Sequence, residues 1–126
     1  MRRLRGFTLI ELMIVVVVIA VLAAIAIPNF LEQSRKGRRS EALKAIGDVQ
    51  MALERWRAEH TSYSGCSACT TGVSTDNYSV AVTNEGGTTY TITATRQGKQ
   101  QNDRCGNLVA TQSTKPTWNG DSDCNN

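Results

Sequence analysis

The chain has 126 residues, room for one domain. Its hydrophobic fraction of 40% is ordinary but unevenly placed: beyond the first third the sequence is polar and rich in Thr, Ser, Asn and Gly, so any globular part has a small core and needs staples. The formal net charge of +3 comes wholly from Arg2, Arg3 and Arg5; without them 11 basic residues balance 11 acidic ones, and the overall charge gives no reason to expect a nucleic-acid partner.

The basic head Met1-Arg2-Arg3-Leu4-Arg5 runs into Gly6, and an apolar run over residues 7–27 follows. Pro28 interrupts what reads as a continuing helix. Glu11 is the single ionisable group inside the run. A carboxylate at mid-membrane costs roughly 2.5–3.5 kcal/mol on insertion scales, so Glu11 needs a partner that offsets this. Residues 7–31 are long enough to span a bilayer. Ala24-Ile25-Ala26 also satisfies the cleavage rule of an ordinary secretory signal, which would leave a soluble domain cut after Ala26. Glu11 near the start of the run counts against both a plain anchor and a plain signal peptide.

The ordered stretch Gly6-Phe7-Thr8-Leu9-Ile10-Glu11 resembles the N-terminus of type IV prepilins, as do the short positive leader before it and Pro28 after it. The close resemblance covers roughly the first third of the chain. It implies a leader over residues 1–6, a transmembrane and filament-core helix over 7–31, and a globular pilin head over 32–126. It implies cleavage after Gly6 and N-methylation of Phe7 by a prepilin peptidase. It implies that Glu11 pairs with the Phe7 amine of a neighbouring subunit during filament assembly, and that Pro28 kinks the helix. The implied partners are other pilin subunits, the peptidase, an inner-membrane assembly platform and the inner membrane itself. The implied location is the inner membrane, single-pass with the N-terminus cytoplasmic, and then an extracellular pilus. The positive-inside rule points the other way: Arg35, Lys36, Arg38 and Arg39 outnumber Arg2, Arg3 and Arg5. The motif overrides that count here. The Arg35–Arg39 cluster reads as a solvated helix face, with anionic headgroups or acidic residues of a neighbour as the functional alternative.

From residue 32 to about His60 the pattern is helical, with Leu43, Ile46, Val49, Leu53 and Trp56 drawing one apolar stripe. Joined through Pro28, the two halves make one helix of ~80 Å at 1.5 Å per residue. Gly37 and Gly47 weaken it by about 1 kcal/mol each against Ala. His60 is expected at the helix C-terminus, where a cation is mildly favoured. Residues 61–77 show no periodicity and read as a loop.

Residues 78–83 alternate as a strand, 84–87 form a turn, and 88–95 alternate again with Tyr90, Ile92 and Ala94 on one face. This is a hairpin. Residues 96–106 are polar and turn-rich, 108–111 form a third strand, and a fourth near 115–118 is confined to an edge by Pro116. Residues 119–126 read as loop. The result is an α+β head: an amphipathic helix on a small antiparallel sheet, similar to the type IV pilin fold.

Four cysteines in an exported chain favour disulfides, and four allow three connectivities. The preferred one joins Cys66 to Cys69 and Cys105 to Cys124. A Cys pair near the C-terminus fits the pilin D-region, which is short here. No βαβ context supports a redox role for Cys66-Ser67-Ala68-Cys69, and no second close Cys/His pair supports zinc.

No catalytic constellation, phosphate-binding glycine motif or zinc motif is present, so no enzymatic activity, cofactor or metal is expected. Asn119, Asp121 and Asp123 hint at a calcium loop but lack the EF-hand Gly and closing Glu. Arg96, Lys99, Arg104 and Lys115 make a small basic set of the kind some family members use to bind DNA. Nothing aromatic interleaves with it and Asp103 sits among it, so DNA is not the preferred partner. The expected function is a structural subunit of a type IV pilus, a minor pilin, serving adhesion, twitching motility or DNA uptake. The alternative is a type II secretion pseudopilin, which shares everything up to Leu31.

Overall fold

The structure is a computed structural model that describes residues 6–126; residues 1–5, the greater part of the expected leader, lie outside it. The chain divides into two compact units, Met1–Ser34 and Arg35–Asn126. A single α-helix, α1 (Leu9–Glu59), contributes to both. Its helical assignment is unbroken at Pro28, Gly37 and Gly47.

In the first unit α1 is apolar on all sides and exposed throughout residues 9–31, apart from the half-buried Ala23. It is long and apolar enough to cross a membrane.

In the second unit α1 turns amphipathic. Arg39, Ala42, Ala45, Ile46, Val49 and Leu53 are buried. The run 39, 42, 46, 49, 53 alternates steps of three and four, which keeps one face inward. The expected stripe needs one correction. Leu43 is 45% exposed and Ala42 takes its place, because one residue on is about 100° round the helix. Trp56 is partly buried against the core.

The sheet is β1 (Tyr78–Thr83), β2 (Thr91–Arg96), β3 (Leu108–Thr111) and β4 (Thr117–Trp118), antiparallel and in sequence order. Val80 opposes Ala94, Ile92 opposes Ala110, and Leu108 opposes Trp118. Those side chains form one core with the buried face of α1. Tyr90, Ile92 and Ala94 do share the buried side. The second strand starts later than expected, at Thr91, because the Tyr90 amide donates to the Gln112 side chain rather than to a partner strand (3.1 Å). β4 is an edge strand after Pro116, where a missing donor does least harm.

The polar segment 97–106 is turn-rich, as expected, but it is not solvated throughout. It holds a 3₁₀ turn, Gly98–Gln100, and buries Gln100, Asp103 and Cys105 almost completely. The C-terminal tail is likewise more ordered than a loop, with a 3₁₀ turn at Ser122–Asn125. It is stitched back by Gly120 N–H to the Cys105 carbonyl (2.9 Å) and Asp121 N–H to the Arg104 carbonyl (3.1 Å). A Cβ at Gly120 would collide with the Arg104 carbonyl oxygen, so only glycine permits this approach.

Disulfides join Cys66 to Cys69 (Cα–Cα 5.4 Å) and Cys105 to Cys124 (Cα–Cα 5.7 Å). The first closes the loop before β1 around a 3₁₀ turn, Ser67–Thr70; the second ties the tail to the buried segment.

Candidate functional site

Gly6, Phe7, Thr8 and Glu11 lie together at the start of α1. Phe7 is 89% exposed, and no atom approaches the place of a Gly6 side chain within 4 Å. Thr8 is the residue before the helix and Glu11 the third within it. The Glu11 amide donates to Thr8 Oγ1 (3.3 Å), and the Thr8 amide donates back to Glu11 Oε2 (3.2 Å). Thr8 Oγ1 also donates to Oε2 (3.1 Å). This is a reciprocal capping box. It satisfies two of the amides that a helix leaves unpaired at its start, and it sets a carboxylate against the positive end of the helix dipole. Both bonds to the carboxylate fall on Oε2; Glu11 Oε1 accepts none among the described residues. Glu11 thus has a local role, closing the helix cap, besides any pairing with a distant partner. The signal was present in the sequence, as Thr-x-x-Glu immediately ahead of an apolar run.

Pro28 lies further along the same exposed stretch of α1. The four cysteines belong to the other unit, and all are disulfide-bonded.

The head holds a buried polar cluster. Arg39, read above as part of a solvated face, instead makes a two-pronged contact with Asp103: Nε to Oδ2 at 2.8 Å and Nη2 to Oδ1 at 2.5 Å. The Asp103 side chain is wholly buried and that of Arg39 is 11% exposed. Gln100 Nε2 donates to Asp103 Oδ2 and to the Tyr78 hydroxyl, each at 3.1 Å, and Arg96 Nη1 donates to the Asp103 carbonyl oxygen. Burial alone would raise the Asp103 carboxyl; the hydrogen bond and charge of Arg39, with the Cys105 amide and the charge of Arg35, outweigh it and hold the group below the ordinary carboxylate range. Asp103 is therefore not a surface acid among the basic residues. Its position at the 3–4 spacing of α1 marked Arg39 as inward-facing, but nothing local to Asp103 named its partner.

Of the expected basic set, Arg96 is engaged with that cluster and Arg104 pairs with Asp121 (3.0 Å); Lys99 and Lys115 are exposed. Asp121 also accepts from the Asp123 amide, and Asn119 Oδ1 accepts from the Asn107 amide (2.8 Å). Among the described residues no three His, Cys, Asp or Glu side chains gather as metal ligands. His60 follows the last residue of α1 and stacks on Trp56 with ring centroids 3.6 Å apart.

Residues 28–109 match the family model of the type IV minor pilin ComP, DNA uptake sequence receptor, and residues 1–27 match the prokaryotic N-terminal methylation motif. The chain is 48% identical over 62 residues to the type IV major pilin protein PilA of Myxococcus xanthus, covering 49% of this chain and 28% of that one. It is 36% identical over 61 residues to the type II secretion system core protein G of Pectobacterium carotovorum, covering 48% of this chain and 39% of that one. It is 37% identical over 73 residues to the prepilin peptidase-dependent protein D of Escherichia coli, covering 58% and 50%. The chain thus spans half or less of the length of these relatives.

Proposed function

The chain belongs to the family of the type IV minor pilin ComP, DNA uptake sequence receptor, and on that premise we propose that it is a minor pilin, a structural subunit of a type IV pilus. In this reading residues 1–6 are a leader removed by a prepilin peptidase, which methylates Phe7. Residues 7–31 lie in the inner membrane with the N-terminus cytoplasmic. An assembly platform then moves the subunit into a filament, where that helix joins the core and the head, residues 32–126, faces outward. Pro28 is the bending point.

The observation that carries the reading is the uncovered apolar stretch of residues 9–31. Covering one Val, Ile or Leu side chain is worth about 1.5–3 kcal/mol, so the whole stretch drives association with lipid or with like helices. Ile14, Val15, Val16, Val17, Val18 and Ile19 are β-branched and helix-poor in water, but lipid leaves the backbone no alternative to helical pairing.

Glu11 serves both roles in turn. Its Oε2 closes the cap within the chain, and its Oε1 receives the methylated Phe7 amine of an incoming subunit. The two charges offset their burial only when they meet, so the pair sets the register. Glu11→Gln separates the roles, because Gln still closes a capping box but carries no charge. Glu11→Gln and Glu11→Val are both expected to be cleaved after Gly6 and to reach the inner membrane, yet to be depleted from sheared filaments. Wild-type recovery of the Gln variant in filaments would end the charge-pair mechanism. A mature N-terminus at Ile27 in mass spectrometry would end the pilin reading altogether.

The type II core protein G relatives favour a second reading, a pseudopilin. The disulfide-tied tail weighs towards the pilus. Identifying the proteins that co-purify with sheared filaments separates the two. DNA uptake is the role that the family description names, and burial of Asp103 removes one objection to it. Retardation of duplex DNA by the full chain, lost in a K99Q/K115Q variant, tests that role.

A further inference from the structure

The Arg35–Arg39 cluster has one member accounted for, Arg39. The other three cations gain a fourth through the fold. Arg38 Nη1 donates to Gln100 Oε1 (3.4 Å), and Gln100 Nε2 reaches the Arg35 backbone carbonyl (3.5 Å). The buried Gln100 thereby fastens the segment carrying Lys99 to the turns of α1 that carry Arg35 and Arg38. Arg38 and Lys99 line one cleft of about 320 Å³ with Asn77, Gly98 and a single carboxylate, Asp76. Lys36 and Lys99 are exposed, and Arg35 and Arg38 are half-buried. Among the described residues no ion pair engages any of the four. Asp103 is paired with Arg39, and the charge of Arg35 acts on it without a direct ion pair.

We propose that Arg35, Lys36, Arg38 and Lys99 form a collar that binds the phosphates of anionic phospholipid headgroups. The proposal rests on the reading of residues 7–31 as a membrane span. Only Glu32, Gln33 and Ser34 stand between Leu31 and Arg35 in the chain, so the collar begins where a spanning helix leaves the hydrocarbon. Cations at that level meet lipid phosphate before any soluble polyanion. The collar also explains why positive charge is concentrated on the flank where the positive-inside rule disfavours it: at that site the charge holds the head to its leaflet until extraction.

The test uses the full chain in nanodiscs of phosphatidylcholine alone or mixed with phosphatidylglycerol. The readout is the acetylation rate of Lys36 and Lys99 by an amine-reactive reagent, with Lys44 and Lys115 as internal references. One basic residue near an anionic surface is worth about five-fold in equilibrium, so Lys36 and Lys99 are expected to slow about five-fold in the anionic discs. The reference lysines keep their rates, and high salt abolishes the difference. An R35Q/R38Q variant is expected to lose most of the protection while keeping its disulfides and its helical signal. Equal rates in the two lipids, with the chain retained in the discs, would overturn the collar alone. Equal protection by inorganic phosphate in phosphatidylcholine discs would reassign it as a free-anion site. Protection by duplex DNA but not by anionic lipid would reassign it to nucleic acid. A chain that fails to stay in phosphatidylcholine discs would overturn the span, and the collar with it, before any lysine is modified.

Discussion

Residues 9–31 and residues 39–53 belong to one helix and are finished in opposite ways. In the first stretch the apolar side chains cover every side and stay exposed among the described residues. In the second, one face carries Ala42, Ile46, Val49 and Leu53 onto a sheet, and even its charge, Arg39, has a partner inside the fold. The polar group of the first stretch, Glu11, is half engaged: Thr8 donates twice to Oε2, and among the described residues none donates to Oε1. The difference separates a core completed within the chain from an apolar stretch that the described residues leave open. Substitutions in the head are therefore expected to act on folding, and substitutions in the first stretch on association.

The sharpest break in that division comes at Asp103. Removing one partner of a buried pair strands the other, so Asp103→Ala is expected to destabilise the head by about 3–5 kcal/mol in urea titrations. Replacing both partners, R39M/D103L, is expected to recover most of the loss. The folded carboxyl titrates below its unfolded value, so its contribution is present above the unfolded pKa and is lost as pH falls through the folded one. Wild-type stability is thus expected to drop below about pH 4, with a shallower drop in the D103L background. Next comes the Cys105–Cys124 bridge, with a sequence separation of 19. Replacing both cysteines with Ser is expected to remove about 3 kcal/mol in the chain-entropy model and to lower protein abundance.

Within α1, Ile46→Val is expected to cost about 1 kcal/mol of head stability. Ile19→Val, an identical chemical change in the first stretch, is expected to leave the same urea midpoint unmoved. A shift at Ile19 would mean that the two stretches unfold as one unit. The smallest effect is at the cap. Thr8→Ala removes one side of the capping box and is expected to fray the first turn by about 1 kcal/mol, read as faster amide exchange there, without moving the head's midpoint.

Much of the molecule was legible in the sequence because its signals are local or periodic. The apolar run, the alternation in 78–83, the shared face of Tyr90, Ile92 and Ala94, and the confinement of β4 to an edge by Pro116 all follow from neighbours along the chain. The capping box was equally local and equally legible in Thr8-Leu9-Ile10-Glu11. Contacts across long sequence separations needed the tertiary structure. The choice of Ala42 over Leu43 as the buried residue depends on where the sheet lies against the helix, and a hydrophobicity pattern centred one residue away reads almost the same. Asp103 carried no local sign of burial, and Arg39 carried only its helical spacing. Their burial is tolerable only because the fold brings two residues 64 apart in sequence within hydrogen-bonding distance, and no local preference of either residue encodes that meeting. Lys99 joined Arg35 and Arg38 for the same reason: Gln100, polar and unremarkable in sequence, is the side chain that fastens their segments together.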